Sequence, residues 1–184
     1  KIYVAISAVE VLLLKASGTS LYDAFCHTFT TMSTGGFSPH SDSIASFGVL
    51  TQWVIILFMF IAGMNFALHA QAFRGRLGRV WRNPEFRLYA AVLGGCVIIG
   101  VMMVPRGGGF EGHLREVAFQ VVSIGTTTGY TTTDFDAWPH LMRLALLLLM
   151  FMGGCMGSTG GGMKVARILI YAKMTVHELR LFIY

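Results

Sequence analysis

One stretch of this sequence constrains the fold more than any other, because residues 43–73 contain no Asp, Glu, Lys or Arg. Its centre, residues 53–62, is almost continuously aliphatic and aromatic. At a helical rise of about 1.5 Å per residue, the stretch is long enough to cross the roughly 30 Å hydrocarbon layer of a membrane. Composition agrees, since only 12% of the residues are charged against about 25% in soluble domains. The sequence therefore predicts an all-α integral membrane protein.

Other uncharged segments fall into two kinds. Residues 88–104 and 144–163 are also credible spans, and residues 2–14 fit part of another although they include Glu10. Residues 24–41 and 117–133 instead begin apolar and then become rich in Thr, Ser and Gly. Irregular backbone is tolerated at membrane depth only where it is buried in protein or lines a watery cavity. We expect each of these two segments to form a short re-entrant helix followed by a loop.

An internal duplication relates the two Thr/Gly-rich segments. One ungapped shift of 94 residues places Gly35 on Gly129 and Gly63 on Gly157. It also superposes span, short helix, polar loop and span in the same order, which is typical of a structural repeat. The sequence thus predicts two pore units, each with an outer helix, a re-entrant pore helix with a filter loop, and an inner helix.

The expected boundaries cover the whole chain. The first unit, residues 1–72, has a partial outer helix, a pore helix at about 21–32, a filter loop at 33–38 (the first loop) and an inner helix at about 47–72. A basic loop follows at 73–87. The second unit, residues 88–173, has an outer helix at about 88–104, a pore helix at about 114–126, a filter loop at 127–132 (the second loop) and an inner helix at about 140–173, broken at 153–162. An interfacial helix is expected at 174–184.

Orientation follows from the basic residues. Residues 73–87 carry five arginines and one glutamate, which indicates a cytoplasmic loop by the positive-inside rule. Asp42, Asp134 and Asp136 follow the two polar loops without a basic neighbour, so both loops are expected to open to the outside. Membrane topology explains the net charge of +5, and we expect no nucleic-acid partner.

The two loops have the composition needed to bind a dehydrated monovalent cation. Backbone carbonyls supply oxygens without a full countercharge, glycine allows successive carbonyls to turn inward, and threonine hydroxyls add oxygens or brace the loop. The alternative is a pair of glycine-rich turns at the membrane surface. The aromatic residues after the glycines, Phe37 and Tyr130, are either ion contacts or packing props. The candidate filter residues are Ser33, Thr34, Gly35, Gly36, Thr127, Thr128, Gly129 and Tyr130.

Residues 153–162, the glycine tract, contain six glycines among ten residues. Each glycine costs a helix about 1 kcal/mol relative to alanine, so the last span is expected to break here. The alternative for the tract is close helix packing through small residues.

Enzymatic and metal sites find little support in the residues. The segment GSTGGGMK at 157–164 lacks the lysine directly after the second glycine that a phosphate-binding loop requires. Ser158 lies in no G-x-S-x-G context, and no histidine spacing is typical of zinc. His27 and His69 are expected to be hydrogen-bonded packing residues. We expect no enzymatic activity, no transition-metal site and no cofactor in this chain.

Four segments together resemble the TrkH/KtrB superfamily of potassium uptake proteins, and TrkH most: TMSTGGFS at 31–38, GMNFALH at 63–69, TTTGYTTTD at 126–134 and GGCMGSTGGGMK at 153–164. In that superfamily four such units surround one pore, and each filter loop is built around a single glycine. The resemblance implies that this chain holds the second and third units, with Gly35 and Gly129 as filter glycines and K⁺ as the transported ion.

The resemblance further implies a gate, partners and a location. It implies that the glycine tract forms an intramembrane gate below the filter, through Gly153, Gly154, Gly157, Ser158, Thr159, Gly160, Gly161 and Gly162. It also implies a homodimer, a cytoplasmic nucleotide-binding regulatory subunit, contact with membrane lipid and a multi-pass location in the bacterial inner membrane. The main alternative is a membrane scaffold or interaction subunit that keeps the duplicated fold without conducting, and an intramembrane hydrolase is a distant third.

Overall fold

The computed structural model describes residues 1–105 and 109–183, and within them every regular element is helical. The chain is therefore all-α, as predicted. A short 3₁₀ helix covers Phe135–Ala137. The α-helices in chain order are α1 (Ile2–Ala16), α2 (Leu21–Met32), α3 (Val49–Ala62), α4 (Phe66–Phe73), α5 (Leu77–Arg82), α6 (Pro84–Met103), α7 (Phe110–Gly125), α8 (His140–Phe151) and α9 (Val165–Ile183).

The two predicted pore helices correspond to α2 and α7. The Ser20 hydroxyl caps α2 by accepting a hydrogen bond from the Asp23 amide at 3.0 Å. Helix α7 begins at Phe110, four residues before the expected start. Its first turn is stabilised by Glu111, which lies 3.1 Å from Arg115 in an i,i+4 pair.

The predicted basic loop at 73–87 is wrong as a loop, because most of it is helical. Helix α5 lies within it, and α6 begins at Pro84 instead of near residue 88. Asn83 caps α6 by accepting from the Phe86 amide at 3.0 Å, and Pro84 occupies the first turn, where its missing amide costs nothing. Residues 106–108, between α6 and α7, lie outside the described part of the chain.

The predicted inner helix at 47–72 is not continuous. Helix α3 ends at Ala62, and α4 departs from it at 106°. Asn65 starts the new helix by accepting from the Ala67 amide at 2.8 Å, and the Gly63 carbonyl accepts from the Cys155 amide at 2.8 Å instead of from its own helix. A cap and an external donor therefore replace the bonds that would continue α3.

The second inner helix breaks where the glycine content predicted, between α8 and α9. The break covers residues 152–164 and is held by main-chain bonds such as Gly153 N to Met163 O at 2.9 Å. Helix α9 then runs to Ile183 without interruption, so the separate interfacial helix expected at 174–184 is wrong for residues 174–183. Tyr184 lies outside the described residues.

Membrane-spanning length differs among the helices of the described residues. Helix α6 alone is long and apolar enough to cross a bilayer, and α3 with α4 reaches that length only as a bent pair. Helix α8 is apolar but shorter. Exposed apolar side chains remain on α8, including Leu144, Leu147 and Leu148. These surfaces are those of a protein that faces lipid or further apolar helices.

Helix α7 lies at the centre of the described structure. Its second half, residues 117–125, is buried. One apolar cluster joins α7 to the other unit, with Phe119 and Val122 packed among Leu14, Ile55 and Met59. Because this cluster also contains Ala24 of α2, a shared core fixes α2 and α7 relative to one another.

Gly63, at the bend between α3 and α4, offers a direct test of this packing. A Cβ at this position would lie 2.3 Å from the Tyr89 hydroxyl and 3.0 Å from Thr126 Cγ2. Gly63→Ala should therefore destabilise the protein by about 1–3 kcal/mol, as overpacking does elsewhere. Thermal unfolding in detergent measures the effect.

Two further variants make the test specific. Tyr89→Phe removes the hydroxyl that the new methyl group meets, so it should recover part of the stability when combined with Gly63→Ala. Gly48→Ala is the matched control, since a Cβ there meets nothing within 4 Å. Equal unfolding temperatures for Gly63→Ala and Gly48→Ala would contradict the packing described here.

Candidate functional site

The two loops leave their helices by the same hydrogen bonds. After α2, the amides of Gly35 and Gly36 both donate to Thr30 O, at 2.7 and 3.3 Å. After α7, the amides of Thr128 and Gly129 both donate to Ser123 O, at 2.9 and 3.3 Å. The first and second loops therefore share one backbone conformation at their start.

Backbone angles give the register between the loops. Positive φ occurs at Thr34 (+54°) and Gly36 (+65°) in the first loop, and at Thr127 (+60°) and Gly129 (+89°) in the second. Angles and hydrogen bonds agree on a shift of 93 residues at the loops, so Gly36 is the counterpart of Gly129.

The expectation that Gly35 is equivalent to Gly129 is thus wrong by one residue. The ungapped shift of 94 aligned the identical Thr-Gly pairs of the two loops. The position of each turn is instead set by its hydrogen bonds to the last turn of the preceding helix. The repeat is also not ungapped, since α3 ends at Ala62 and α8 at Phe151, a difference of 89.

The loops meet backbone to backbone at Gly36. A Cβ on Gly36 would lie 2.0 Å from Thr128 O and 3.1 Å from Gly129 C. No side chain fits at this contact, so glycine is required for the approach as well as for the positive φ. The contact brings the glycine of the first loop beside the glycine of the second.

The carbonyls of each loop divide into those that accept a hydrogen bond and those that do not. The Ser33 carbonyl accepts from the Thr34 hydroxyl at 2.6 Å, and the Tyr130 carbonyl accepts from the Ser123 hydroxyl at 2.7 Å. Two of the eight predicted filter residues therefore have engaged carbonyls. Among the hydrogen bonds of the described residues, none is accepted by the carbonyls of Thr34, Gly35, Gly36, Thr127, Thr128 and Gly129. These six residues occupy the same three positions in each loop.

The electrostatic surroundings favour a cation at the loops. Helices α2 and α7 end at the loops, so both direct the partial negative charge of a helix C-terminus toward them. Residues 33–38 and 127–132 carry no formal charge. A cavity of about 190 Å³ lies beside the second loop and is lined by Ser123, Ile124, Thr127, Gly129 and Met150. Neutral oxygens are thus the available ligands, and the C-terminal ends of α2 and α7 are the main source of negative electrostatic potential.

Tyr130 and Phe37, which are equivalent residues, have different surroundings. Tyr130 is fully buried, and its hydroxyl lies 2.5 Å from Thr30 Oγ1 and donates to His27 O at 3.2 Å. Its side chain thereby fixes the second loop to the pore helix of the first unit. Phe37 is 76% exposed. Tyr130 is a packing contact in this structure.

The glycine tract lies against the second loop. The Gly161 amide donates to the Thr127 hydroxyl at 2.7 Å. A Cβ on Gly160 would lie 3.1 Å from Thr126 O. The tract is also tied to the bend after α3, where the Thr159 hydroxyl donates to Ala62 O at 3.3 Å. The tract is therefore a folded loop with defined partners. Its glycines do allow close contacts, but the tract is not the continuous helix that the small-residue packing alternative assumed.

Two charged side chains outside the tract form hydrogen bonds with its backbone. The Lys164 ammonium donates to Gly160 O, and the Met156 amide donates to a carboxylate oxygen of Glu85 at the start of α6. Sequence reasoning did not single out Glu85 or Asn65. Asn65 carries a helix-start signal that was available, because Asn before an apolar helical run is a common N-cap. Glu85 meets the tract from 71 residues away, and no local pattern reports that contact.

The two histidines predicted to be packing residues are hydrogen-bonded. His27 Nε2 lies 3.0 Å from the Ser38 hydroxyl, and His69 Nε2 lies 2.9 Å from Ile61 O. Within the described ranges no group of three or more His, Cys, Asp or Glu is arranged to hold a metal ion.

A family comparison matches this arrangement to known proteins. The family model TrkH, described as a cation transport protein, matches residues 2–104 and 111–181. The chain belongs to the TrkH family. Among curated relatives, the Trk system potassium uptake protein TrkH of Escherichia coli K12 is 39% identical over 97% of this chain and 38% of the relative. TrkI of Halomonas elongata is 32% identical over all of this chain and 38% of the relative.

A solved structure agrees with the family assignment. The crystal structure of the potassium transporter TrkH from Vibrio parahaemolyticus superposes with a TM-score of 0.93 at 33% identity, covering 99% of this chain and 40% of that one. The chain thus spans about two fifths of the length of the TrkH family members that it matches.

The contact at Gly36 predicts a sharp difference between neighbouring glycines. Gly36→Ala places a methyl group against the Thr128 carbonyl, which belongs to the backbone and cannot rotate away. Overpacking in addition to a positive φ should cost about 2–4 kcal/mol, measured as thermal unfolding of the complete protein.

Gly35→Ala is the control for this variant. Its Cβ would come no closer than 3.3 Å, to the flexible Ser33 side chain, and should change stability by less than about 1 kcal/mol. If Gly35→Ala is the more damaging change, the 93-residue register is incorrect.

Proposed function

We propose that this chain supplies two filter loops of a potassium-conducting pore, as part of the pore-forming subunit of a Trk-type uptake system. The observation that carries the proposal is the contact at Gly36, which brings together two loops that each have three carbonyls without a hydrogen bond. Uncharged carbonyl oxygens can replace the hydration shell of a monovalent cation. Thr34, Gly35, Gly36, Thr127, Thr128 and Gly129 are the proposed ion-binding residues.

Potassium is the proposed ion because of the relatives. Those proteins are named potassium uptake proteins, and their alignments cover 97% and all of this chain. Two loops form half of a four-unit ring, so the remaining carbonyls are proposed to come from the rest of the complete protein. The exposed Phe37 ring is proposed to pack on a neighbouring unit, as buried Tyr130 packs on α2.

The glycine tract is the proposed gate. It lies against the second loop, and the basic residues that flank it at Lys164 and Arg167 indicate the cytoplasmic side. The proposed gate residues are the eight expected from the sequence: Gly153, Gly154, Gly157, Ser158, Thr159, Gly160, Gly161 and Gly162.

Partners and location are proposed on the same basis. The relatives are named as components of a Trk system, and the resemblance supports a homodimer, a cytoplasmic nucleotide-binding regulatory subunit and a bacterial inner membrane. We assign no enzymatic activity to the chain. A non-conducting scaffold is less well supported, because it has no use for strained backbone at Thr34 and Thr127 or for loops that keep six carbonyls free.

Gly129 provides the direct test of the proposed filter. A Cβ there meets nothing within 4 Å, but φ is +89°, so a side chain strains the backbone without a clash. Gly129→Ser in the complete protein should therefore fold and should lower the ratio of K⁺ to Na⁺ uptake by about threefold or more, because the carbonyl ring is distorted. Uptake is measured in cells lacking other potassium systems.

Gly94→Ser on α6 is the matched control, since its Cβ is equally unobstructed and its backbone is helical. It should leave the uptake ratio unchanged. If normally expressed Gly129→Ser protein keeps the wild-type ratio, the filter assignment fails. If the wild-type complete protein assembles but supports no K⁺ uptake in these cells, the scaffold alternative is favoured.

A further inference from the structure

The two loops differ in what their equivalent threonine hydroxyls contact. Thr34 donates to Ser33 O at 2.6 Å, within its own loop. The Thr127 hydroxyl accepts from the Gly161 amide at 2.7 Å, across 34 residues. Within the described residues, only the second loop is therefore joined through this position to the glycine tract.

The difference arises from the chain below the loops. Helices α3 and α4 are joined by residues 63–65, whereas α8 and α9 are joined by residues 152–164. The shorter connection has no counterpart of Gly161. The repeat has thus kept the loop conformation in both units and placed an additional segment beneath one of them.

Thr127 is well placed to transmit a movement of that segment. It holds a φ of +60°, which is uncommon for a β-branched residue and persists only where the surroundings fix it. Its carbonyl is one of the six free ones, and its hydroxyl is the acceptor for the tract. A change at the hydroxyl therefore acts on a residue that also lines the proposed ion path.

The two arms of the tract pack against each other. A Cβ on Gly153 would lie 1.8 Å from Gly161 O, so the two arms of the tract touch through their backbones. Cys155, on the first arm, is buried and bound to Gly63 O through its amide. A Cβ on Gly160 would likewise lie 3.2 Å from the Gly154 amide nitrogen, so displacing residues 160–162 should loosen the arm that carries Cys155 and raise the reactivity of its thiol.

We propose that the hydrogen bond from the Gly161 amide to the Thr127 hydroxyl couples the glycine tract to the second loop, making Thr127 a positioning residue for both. The inference rests on the proposed function, since it assigns a regulatory contact to the same filter and gate. Removing one hydrogen bond shifts a two-state equilibrium by a factor of roughly 2 to 12. Without this bond, the equilibrium constant for displacing the tract from the second loop should be larger by that factor.

The test uses the complete protein with Cys155 as its only cysteine. Thr127→Val removes the acceptor and keeps the β-branched shape. The rate of Cys155 labelling by a membrane-permeant maleimide should rise about 2- to 12-fold, and rubidium flux in liposomes should rise with it. Thr127→Ser keeps the hydroxyl and should label like the parent protein.

Matched variants isolate the contact. Thr34→Val makes the same change in the first loop and should leave Cys155 labelling unchanged. Gly161→Ala keeps the amide, and its Cβ makes only ordinary contacts at 3.5 Å or more, so Cys155 should be labelled at the parental rate. Gly161→Pro removes the donor of the same hydrogen bond and should raise Cys155 labelling as Thr127→Val does. Agreement between the two variants shows that the effect does not come from misfolding of one of them.

Deletion of residues 160–162 separates this inference from the proposed function. If the tract is the gate, the deletion raises rubidium flux, and adding Thr127→Val then changes nothing further because their shared contact is already lost. Raised flux in the deletion with parental labelling and flux in Thr127→Val overturns the coupling and leaves the gate intact. Unchanged flux in an assembled deletion protein overturns the gate. The coupling is then judged only by Cys155 labelling in Thr127→Val, and parental labelling overturns it.

Discussion

The close approach of Gly36 to the Thr128 carbonyl is the constraint on which the rest of the structure depends. Two loops can meet there only without a side chain, and only if both pore helices deliver them at the same depth. Much of the described fold serves that delivery. Helix α7 is buried along its second half, one apolar cluster joins it to α1 and α3, and Tyr130 fixes the second loop to α2. The result is a set of uncharged oxygens held by the packing of the helices, with no fixed countercharge in either loop.

Local signals in the sequence were sufficient for several elements. The pore helix at residues 21–32 has a serine cap and an apolar start, and the break in the last span follows from glycine content alone. The first inner helix was predicted as continuous because its hydropathy hides the bend. Gly63 and Asn65 carry the signal, but an apolar run with one glycine also fits an unbroken span. The start of α6 was missed because the arginines of residues 73–87 indicated a cytoplasmic loop. Asn83 as an N-cap and Pro84 in the first turn nevertheless carry the signal for the start of a helix.

The register between the two loops was predicted to within one residue. Matching identical letters paired Gly35 with Gly129, whereas the hydrogen bonds of the turn pair Gly36 with Gly129. The same correction explains why the carbonyls of Ser33 and Tyr130 are engaged, since each lies one position outside the shared turn. The bond between Gly161 and Thr127 was beyond sequence reasoning, because it joins segments that are distant in the chain and involves a main-chain amide. Duplication has thus preserved the loops while the connections beneath them diverged.

The central claim is that an ion path runs between the two loops. The most direct measurement is the anomalous scattering of rubidium or thallium ions in crystals of the complete protein. Ion peaks are expected on a common line flanked by the carbonyls of Gly36 and Gly129. Ion peaks elsewhere in the protein, with these two carbonyls turned into hydrogen bonds with the surrounding helices, would contradict it.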